Sequence, residues 1–265
     1  MVQNREDFFQ LPISLITEIN GVKLFMKRDD LIHPHVSGNK LYKLRYNFIE
    51  AKKNGFDRIL TFGGAFSNHL AATASYAQDQ QLKCIGVVRG ERPATINPTL
   101  KFCIDRGVEL KFVSRSDYRQ KTDAAFLDGL RSEFHNPFII PEGGNNELGI
   151  KGSGEMLDER TTGFDAIICP IGTGTTVGGL LKAAAEHQRV IGLPVHKHAD
   201  IMEDVRAMEP SLSDHFHKLT LWTDYHFGGY AKWDNRLLQF IQSFYSEFSI
   251  KLDPIYTGKA MFATM

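Results

Sequence analysis

"RILTFGGAFSNHLAATASYAQDQQLKCIGVVRG", residues 58–90, holds one strand–helix–strand unit. Its ends, "RILTF" (58–62) and "KCIGVVRG" (83–90), are short apolar runs without alternation, the pattern of strands covered on both faces. Between them "SNHLAATASYAQ" (67–78) has apolar residues at helical spacing, with Ser67 placed as its cap. Two strands joined through a helix run parallel with a right-handed crossover, so this stretch decides for an α/β fold. The alternation continues. "NPTLKFCIDRG" (97–107) reads as a helix with Pro98 in its first turn and Gly107 at its end. "VELKFV" (108–113) is a strand, "SDYRQKTDAAFLDGLRSEF" (116–134) a helix, and "PFIIP" (137–141) the fourth strand. A second series has "FDAIICP" (164–170) as strand, a glycine-rich loop, "VGGLLKAAAEH" (177–187) as helix and "VIGLPVH" (190–196) as strand. No internal repeat, low-complexity tract or flexible linker interrupts the pattern, which predicts two α/β units. Ligands of open α/β sheets bind beyond the strand C-terminal ends, so the loops there are the places to search for chemistry.

Bulk properties narrow the function classes. The chain has 265 residues, 42% of them hydrophobic, enough for a sizeable core. Lys+Arg and Asp+Glu both number 31 and no block of like charge stands out, which argues against a nucleic-acid partner or an anionic membrane surface. "MVQNREDFFQLP" (1–12) has no signal-peptide pattern, and no stretch approaches the ~18 apolar residues of a membrane span. Cys84, Cys103 and Cys169 are odd in number and far apart, which suits a reducing cytoplasm. The 10 histidines show no HExxH or Cys/His spacing, so no metal site is expected.

Three loops and one lysine carry the chemistry. In "PIGTGTTVGGLL" (170–181), Gly172, Thr173, Gly174, Thr175 and Thr176 lie between a strand and a helix start. Backbone N–H groups and hydroxyls there favour a single phosphate group, with a plain tight turn as the alternative. It is neither a Walker loop nor a clean dinucleotide fingerprint, because Gly178 falls one residue late. In "FGGAFSNHLAA" (62–72), Ser67, Asn68 and His69 open a helix whose end can hold a carboxylate; on these residues alone, ordinary capping by Ser67 is favoured. "PEGGNNELGIKGSGEM" (141–156) is a glycine-rich loop running into a helix. "YHFGGY" (225–230) offers Tyr225, His226 and Tyr230, and "LDPIYTGKAM" (252–261) offers Tyr256 in a turn begun by Pro254. In "VSGNKLYKL" (36–44), Lys40 stands where a glycine turn meets a helix that is expected to start just after it. A cation at the positive end of a helix is mildly unfavourable, so Lys40 is either a solvated surface residue or a reactive amine.

"KRDDL" (27–31), "SGNKLYKL" (37–44), "GGAFSNH" (63–69), "PEGG" (141–144), "GTGTT" (172–176) and "LDPIYTGKAM" (252–261), in this order, resemble the D-cysteine desulfhydrase and 1-aminocyclopropane-1-carboxylate (ACC) deaminase family. The resemblance runs from about Lys27 to the C-terminus. It implies pyridoxal 5'-phosphate (PLP) as cofactor and fold type II, the tryptophan-synthase-β-like fold. That fold has two open parallel-sheet α/β domains with the cofactor cleft between them. It assigns 1–46 with 157–265 to a large PLP-binding domain and 47–156 to a small one. It makes Lys40 the Schiff-base lysine and the α-proton base, the loop Gly172 to Thr176 the phosphate cup, and Asn68 the partner of the PLP 3'-oxygen. Ser67, Asn68 and His69 become substrate-binding residues near the carboxylate, reversing the capping preference. Tyr230 and Tyr256 frame the substrate, one of them serving in proton transfer or nucleophilic attack.

The implied activity is that of a lyase or deaminase on a small amino acid. D-cysteine, giving pyruvate, sulfide and ammonia, is the first expectation. ACC, giving 2-oxobutyrate and ammonia, is the alternative, and D-serine or a related β-substituted amino acid the third. The resemblance also implies a homodimer. It further implies a segment after "YTGKAM" with a His-Thr-Gly-Gly-like motif; no equivalent precedes Met265, so the large domain is expected to be incomplete. A non-catalytic remnant that binds PLP or an amino acid is the expectation from outside the enzyme class.

Overall fold

Asn20 and Gly21, both left-handed (φ 51° and 82°), turn the chain back between β1 (Ile13–Ile19) and β2 (Val22–Lys27), an antiparallel hairpin. Positive φ at both central residues is the geometry of a two-residue hairpin turn, for which Asn-Gly is the favoured sequence. The computed structural model describes residues 11–197 and 200–265. Most of the N-terminal stretch read for a signal peptide lies outside them.

After the hairpin come α1 (Asn39–Lys53), β3 (Arg58–Gly64), α2 (Asn68–Asp79), β4 (Lys83–Arg89), α3 (Pro98–Asp105), β5 (Glu109–Val113), α4 (Arg115–Tyr118), α5 (Ala124–Glu133), β6 (Phe138–Ile140) and α6 (Glu147–Gly154). β3–β6 form one parallel sheet in the order β5-β4-β3-β6. Leu60 and Phe62 of β3 and Ile85 and Val87 of β4 pack against Tyr118, Leu130 and Phe134 on one face. Ile59 and Thr61, which point to the other face, are also fully buried. This two-sided burial is why "RILTF" reads as an unbroken apolar run. The helix expected over 116–134 is broken: α4 ends at Tyr118, and Asp123 precedes α5. Tyr118 must reach the core against Phe62 while "RQKTD" stays polar, and one continuous helix does not serve both.

The remaining elements are β7 (Ala166–Ile171), α7 (Thr175–Ala183), β8 (Arg189–Pro194), α8 (Ile201–Met208), β9 (Leu219–Leu221), α9 (Asn235–Phe248) and α10 (Thr257–Thr264). β7, β8 and β9 form a second parallel sheet in that order. Ile16 of the hairpin packs with Phe244 of α9, Ile250, Leu252 and Met261 of α10. The described chain divides into two compact units. One holds Leu11 and Asp29–Gly152, the other Pro12–Arg28 and Ser153–Met265. α1 therefore groups with the β3–β6 sheet. Among the described residues no helix is long and apolar enough to cross a membrane, and no cluster of three metal-ligating side chains could hold an ion.

Candidate active site

In the first unit the strand order reverses beside β3: β4 and β5 lie on one side and β6 on the other. Loops leaving the C-terminal ends of strands at such a reversal part from one another and leave room for a ligand. Here they are the loop from β3 to α2, with Ser67, and the loop from β6 to α6, with "PEGG". α1 is tied to the second loop by Asn47 and Asn146, whose amides exchange hydrogen bonds (Asn146 Nδ2 to Asn47 Oδ1, 2.7 Å; Asn47 Nδ2 to Asn146 Oδ1, 3.3 Å).

α1 starts at Asn39, one residue before Lys40 rather than just after it. Gly38 precedes it at φ 60°, and no side chain caps it. Lys40 sits in the first turn, and its Nζ donates to Asn39 Oδ1 at 2.9 Å. Lys43, one turn on and on the same face, is buried. A Cβ on Gly144 would lie 3.2 Å from Lys43 Cβ and 3.7 Å from His69 Cε1, so the "PEGG" loop runs directly over both.

His69 is buried, and burial, with the positive charges of Lys40 and Lys43, pushes its pKa down to about 3. It is a neutral imidazole, and its tautomer follows from its neighbours. Thr61 Oγ1 donates its single proton to the Ile140 carbonyl (2.8 Å), so its 2.9 Å contact with His69 Nε2 makes Nε2–H the donor. Nδ1 is left as a bare acceptor, buried and without a hydrogen-bond partner. Such an atom offers a place to an N–H or O–H donor, and it repels a carboxylate oxygen. Ser67 Oγ accepts from Leu70 N (3.2 Å), the capping arrangement read from the sequence, and retains its own proton to donate. Asn68 is the exposed first residue of α2. Thr61 and Lys43 are missing from the residues singled out by sequence. The buried lysine at i+3 from Lys40 was the available signal.

The His69 environment has a measurable pH consequence. The unfolded imidazole takes up a proton near its ordinary 6.5, the folded one only near about 3. The unfolded state therefore binds the proton first, and stability is full above pH 6.5 and drains as pH falls from there towards 3. Between pH 7.5 and 4.5, the urea midpoint of the protein is expected to fall more steeply than that of His69→Gln. Nitrogen-15 NMR of His69 is expected to show a neutral Nε2–H ring throughout. Parallel slopes, or a His69 titration near 6.5, would contradict the geometry.

In the second unit, α7 follows β7 through Gly172, Thr173 and Gly174. Gly174 occupies the capping position at φ 85°, which favours glycine, and no side chain caps the helix. Thr173 Oγ1 and Thr175 Oγ1 are 3.1 Å apart. An N-terminus closed by glycine and flanked by hydroxyls is the donor set a phosphate needs. Tyr256 lies over this loop, since a Cβ on Gly172 would come within 3.0 Å of Tyr256 Cε1. Asp253 fixes the tyrosine's backbone: Oδ1 accepts from Ile255 N and Tyr256 N, and Oδ2 from Thr257 N and Oγ1. Tyr230 meets Tyr256 edge-on at 6.2 Å and stacks flat on His196 (5.1 Å, 8°). The loop, Tyr256 and Tyr230 thus form one cluster, as Lys40 and His69 do with Lys43 in the other unit. Taken unit by unit, the chemistry suits parts of a phosphorylated carbonyl cofactor: the loop of the second unit offers donors to a phosphate, and Lys40 of the first offers an amine to a carbonyl.

A family model described as pyridoxal-phosphate dependent enzyme matches residues 10–265. A Pyrococcus horikoshii protein provisionally named 1-aminocyclopropane-1-carboxylate deaminase is 29% identical over 273 residues, covering 96% of this chain and 83% of that protein. A D-cysteine desulfhydrase of Serratia proteamaculans is 27% identical over 274 residues, covering 94% of this chain and 82% of that protein. Among solved structures, an ACC deaminase homologue superposes with a TM-score of 0.78 at 25% identity, over 100% of this chain and 89% of that one.

Proposed function

Because the chain belongs to the pyridoxal-phosphate dependent enzyme family, we propose that it is a lyase that converts D-cysteine and water to pyruvate, sulfide and ammonia. The observation that carries the chemical part of this reading is the buried, neutral His69, which feels the charge of Lys40 and whose Nδ1 is an unfilled acceptor. When bound, the cofactor supplies an electron sink at the substrate α-carbon. Lys40 would carry it, and its amine is the group we assign to the substrate α-proton. Gly172, Thr173, Gly174, Thr175 and Thr176 hold the phosphate, and Asn68 the ring hydroxyl. Ser67 donates its remaining proton to the substrate carboxylate. His69 Nδ1 accepts from a nitrogen or oxygen donor in the site, a narrower role than direct carboxylate binding.

ACC deamination is the second reading, favoured by the name of the Pyrococcus relative. ACC has no α-proton, so ring opening asks for a nucleophile or a proton moved at the β-carbon. Tyr230 and Tyr256, edge to face, are the groups we assign to that task. A homodimer and a cytoplasmic location belong to the same proposal; the three buried cysteines agree with a reducing compartment.

A substrate panel tests the reading. PLP-loaded protein is expected to release sulfide and pyruvate in equal amounts from D-cysteine. Formation of 2-oxobutyrate from ACC with no sulfide from D-cysteine would transfer the assignment to the second reading. Folded, PLP-loaded protein that turns over neither would reject both.

A further inference from the structure

Lys259 is a charged residue in an unfavourable place. It lies in the first turn of α10, where the helix dipole is positive, and only 1% of it is exposed. Burial lowers its pKa, with the Asp253 carboxylate acting against that shift. What it gains is two hydrogen bonds, from Nζ to the His226 carbonyl (2.8 Å) and to the Gly229 carbonyl (2.9 Å). A buried ammonium with partners of this kind is costly to remove and is held in one geometry.

The segment it holds is bent through successive left-handed residues: Phe227 (φ 53°), Gly228 (90°), Gly229 (120°) and, one residue on, Ala231 (53°). The two carbonyls bound by Lys259 bracket the bend, and the residue after the second is Tyr230. Tyr256 is the residue that precedes α10, and its carbonyl accepts from Ala260 N (3.1 Å). One helix end thus carries Tyr256 and, through Lys259, fixes the backbone on which Tyr230 stands. Phe227 packs against Phe262 of the same helix (5.1 Å, edge-on), a second anchor that does not depend on the ammonium.

We propose that Lys259 is a positioning residue: by clamping the His226 and Gly229 carbonyls it sets Tyr230 against Tyr256 and His196, and so governs the step the tyrosines perform. This rests on the reading of Tyr230 as a group that meets the substrate. Displacement of a reacting group by about an ångström costs up to about 100-fold in rate. PLP-loaded Lys259→Met is therefore expected to lose about 10- to 100-fold in kcat on the substrate the wild type accepts, with its cofactor absorption retained.

Two further readouts separate positioning from fold maintenance. In a Tyr230→Phe background the same substitution should cost much less than in the wild type, because the group it positions has gone. Fluorine NMR of 3-fluorotyrosine-labelled protein should show the Tyr230 resonance shifted and broadened in Lys259→Met. This last readout holds whether or not any substrate is turned over, so failure of the panel and failure of the clamp are distinguishable. An equal cost in both backgrounds, kcat within about twofold of wild type, or an unmoved Tyr230 resonance would overturn the proposal. Should Lys259→Met fail to fold, Lys259→Gln, which keeps a shorter donor, is read in the same way.

Discussion

Lys40→Ala is expected to abolish the visible absorption of the PLP-loaded protein and to lower turnover by about 10³-fold or more. The proposed covalent anchor and the proposed base are one amine, so both readouts should fail together. The fold should not. Alanine is the best helix former, and the change removes a cation from the first turn of α1, where it faces the positive end of the helix. The thermal midpoint should therefore stay level or rise slightly, which separates loss of chemistry from loss of structure. Lys43→Met is the control, because Lys43 shares that face of α1 and also lowers the His69 pKa. Absorption that survives Lys40→Ala and vanishes in Lys43→Met would move the anchor one turn along the helix.

The sequence made the β3–β6 sheet legible because both its faces are covered, which leaves apolar runs with turn residues between them. Ser67 was legible as a cap because a serine before a helical pattern has one ordinary use. The β1–β2 hairpin was missed although Asn20–Gly21 is a strong turn signal. Its strands leave Leu15 and Val22 more than half exposed, so the pattern lacks a clean inside face. The site was legible as residue types and not as interactions. Nothing in "LTFGG" says that Thr61 donates to Ile140, yet that one bond makes His69 Nε2 the donor to Thr61 and leaves Nδ1 the acceptor. Lys259 stood in full view in "YTGKAM". Its partners are carbonyls 30 and 33 residues away, and backbone acceptors leave no mark in sequence. The expected division placed 1–46 with the C-terminal half; contacts group Pro12–Arg28 with that half and α1 with the β3–β6 sheet.

Gly152→Ala should be the most destabilising single-methyl change in the first unit. A Cβ on Gly152 would sit 1.9 Å from the Tyr42 carbonyl oxygen and 2.8 Å from its carbon. Both are backbone atoms of α1, so no side chain can rotate away, and α6 must move off α1 by more than an ångström. Overpacking of this kind costs about 1–3 kcal/mol, and backbone against backbone lies at the upper end. A loss of about 3 kcal/mol, or roughly 6–12 °C in Tm, is the expected result in urea and thermal unfolding. Tyr42 cannot yield easily, because it is fully buried and its hydroxyl donates to Asp29 Oδ1 at 3.0 Å. Strain at its carbonyl is therefore passed along α1 to Lys40, two residues earlier, and to Lys43 beside it. Folded Gly152→Ala, assayed well below its midpoint, should accordingly lose activity beyond its unfolded fraction, by about 10-fold or more. Stability within about 0.5 kcal/mol of wild type would mean that α6 does not seat on α1 this closely. Full activity in the folded variant would mean that the lysines are placed by something other than the contact at residue 152.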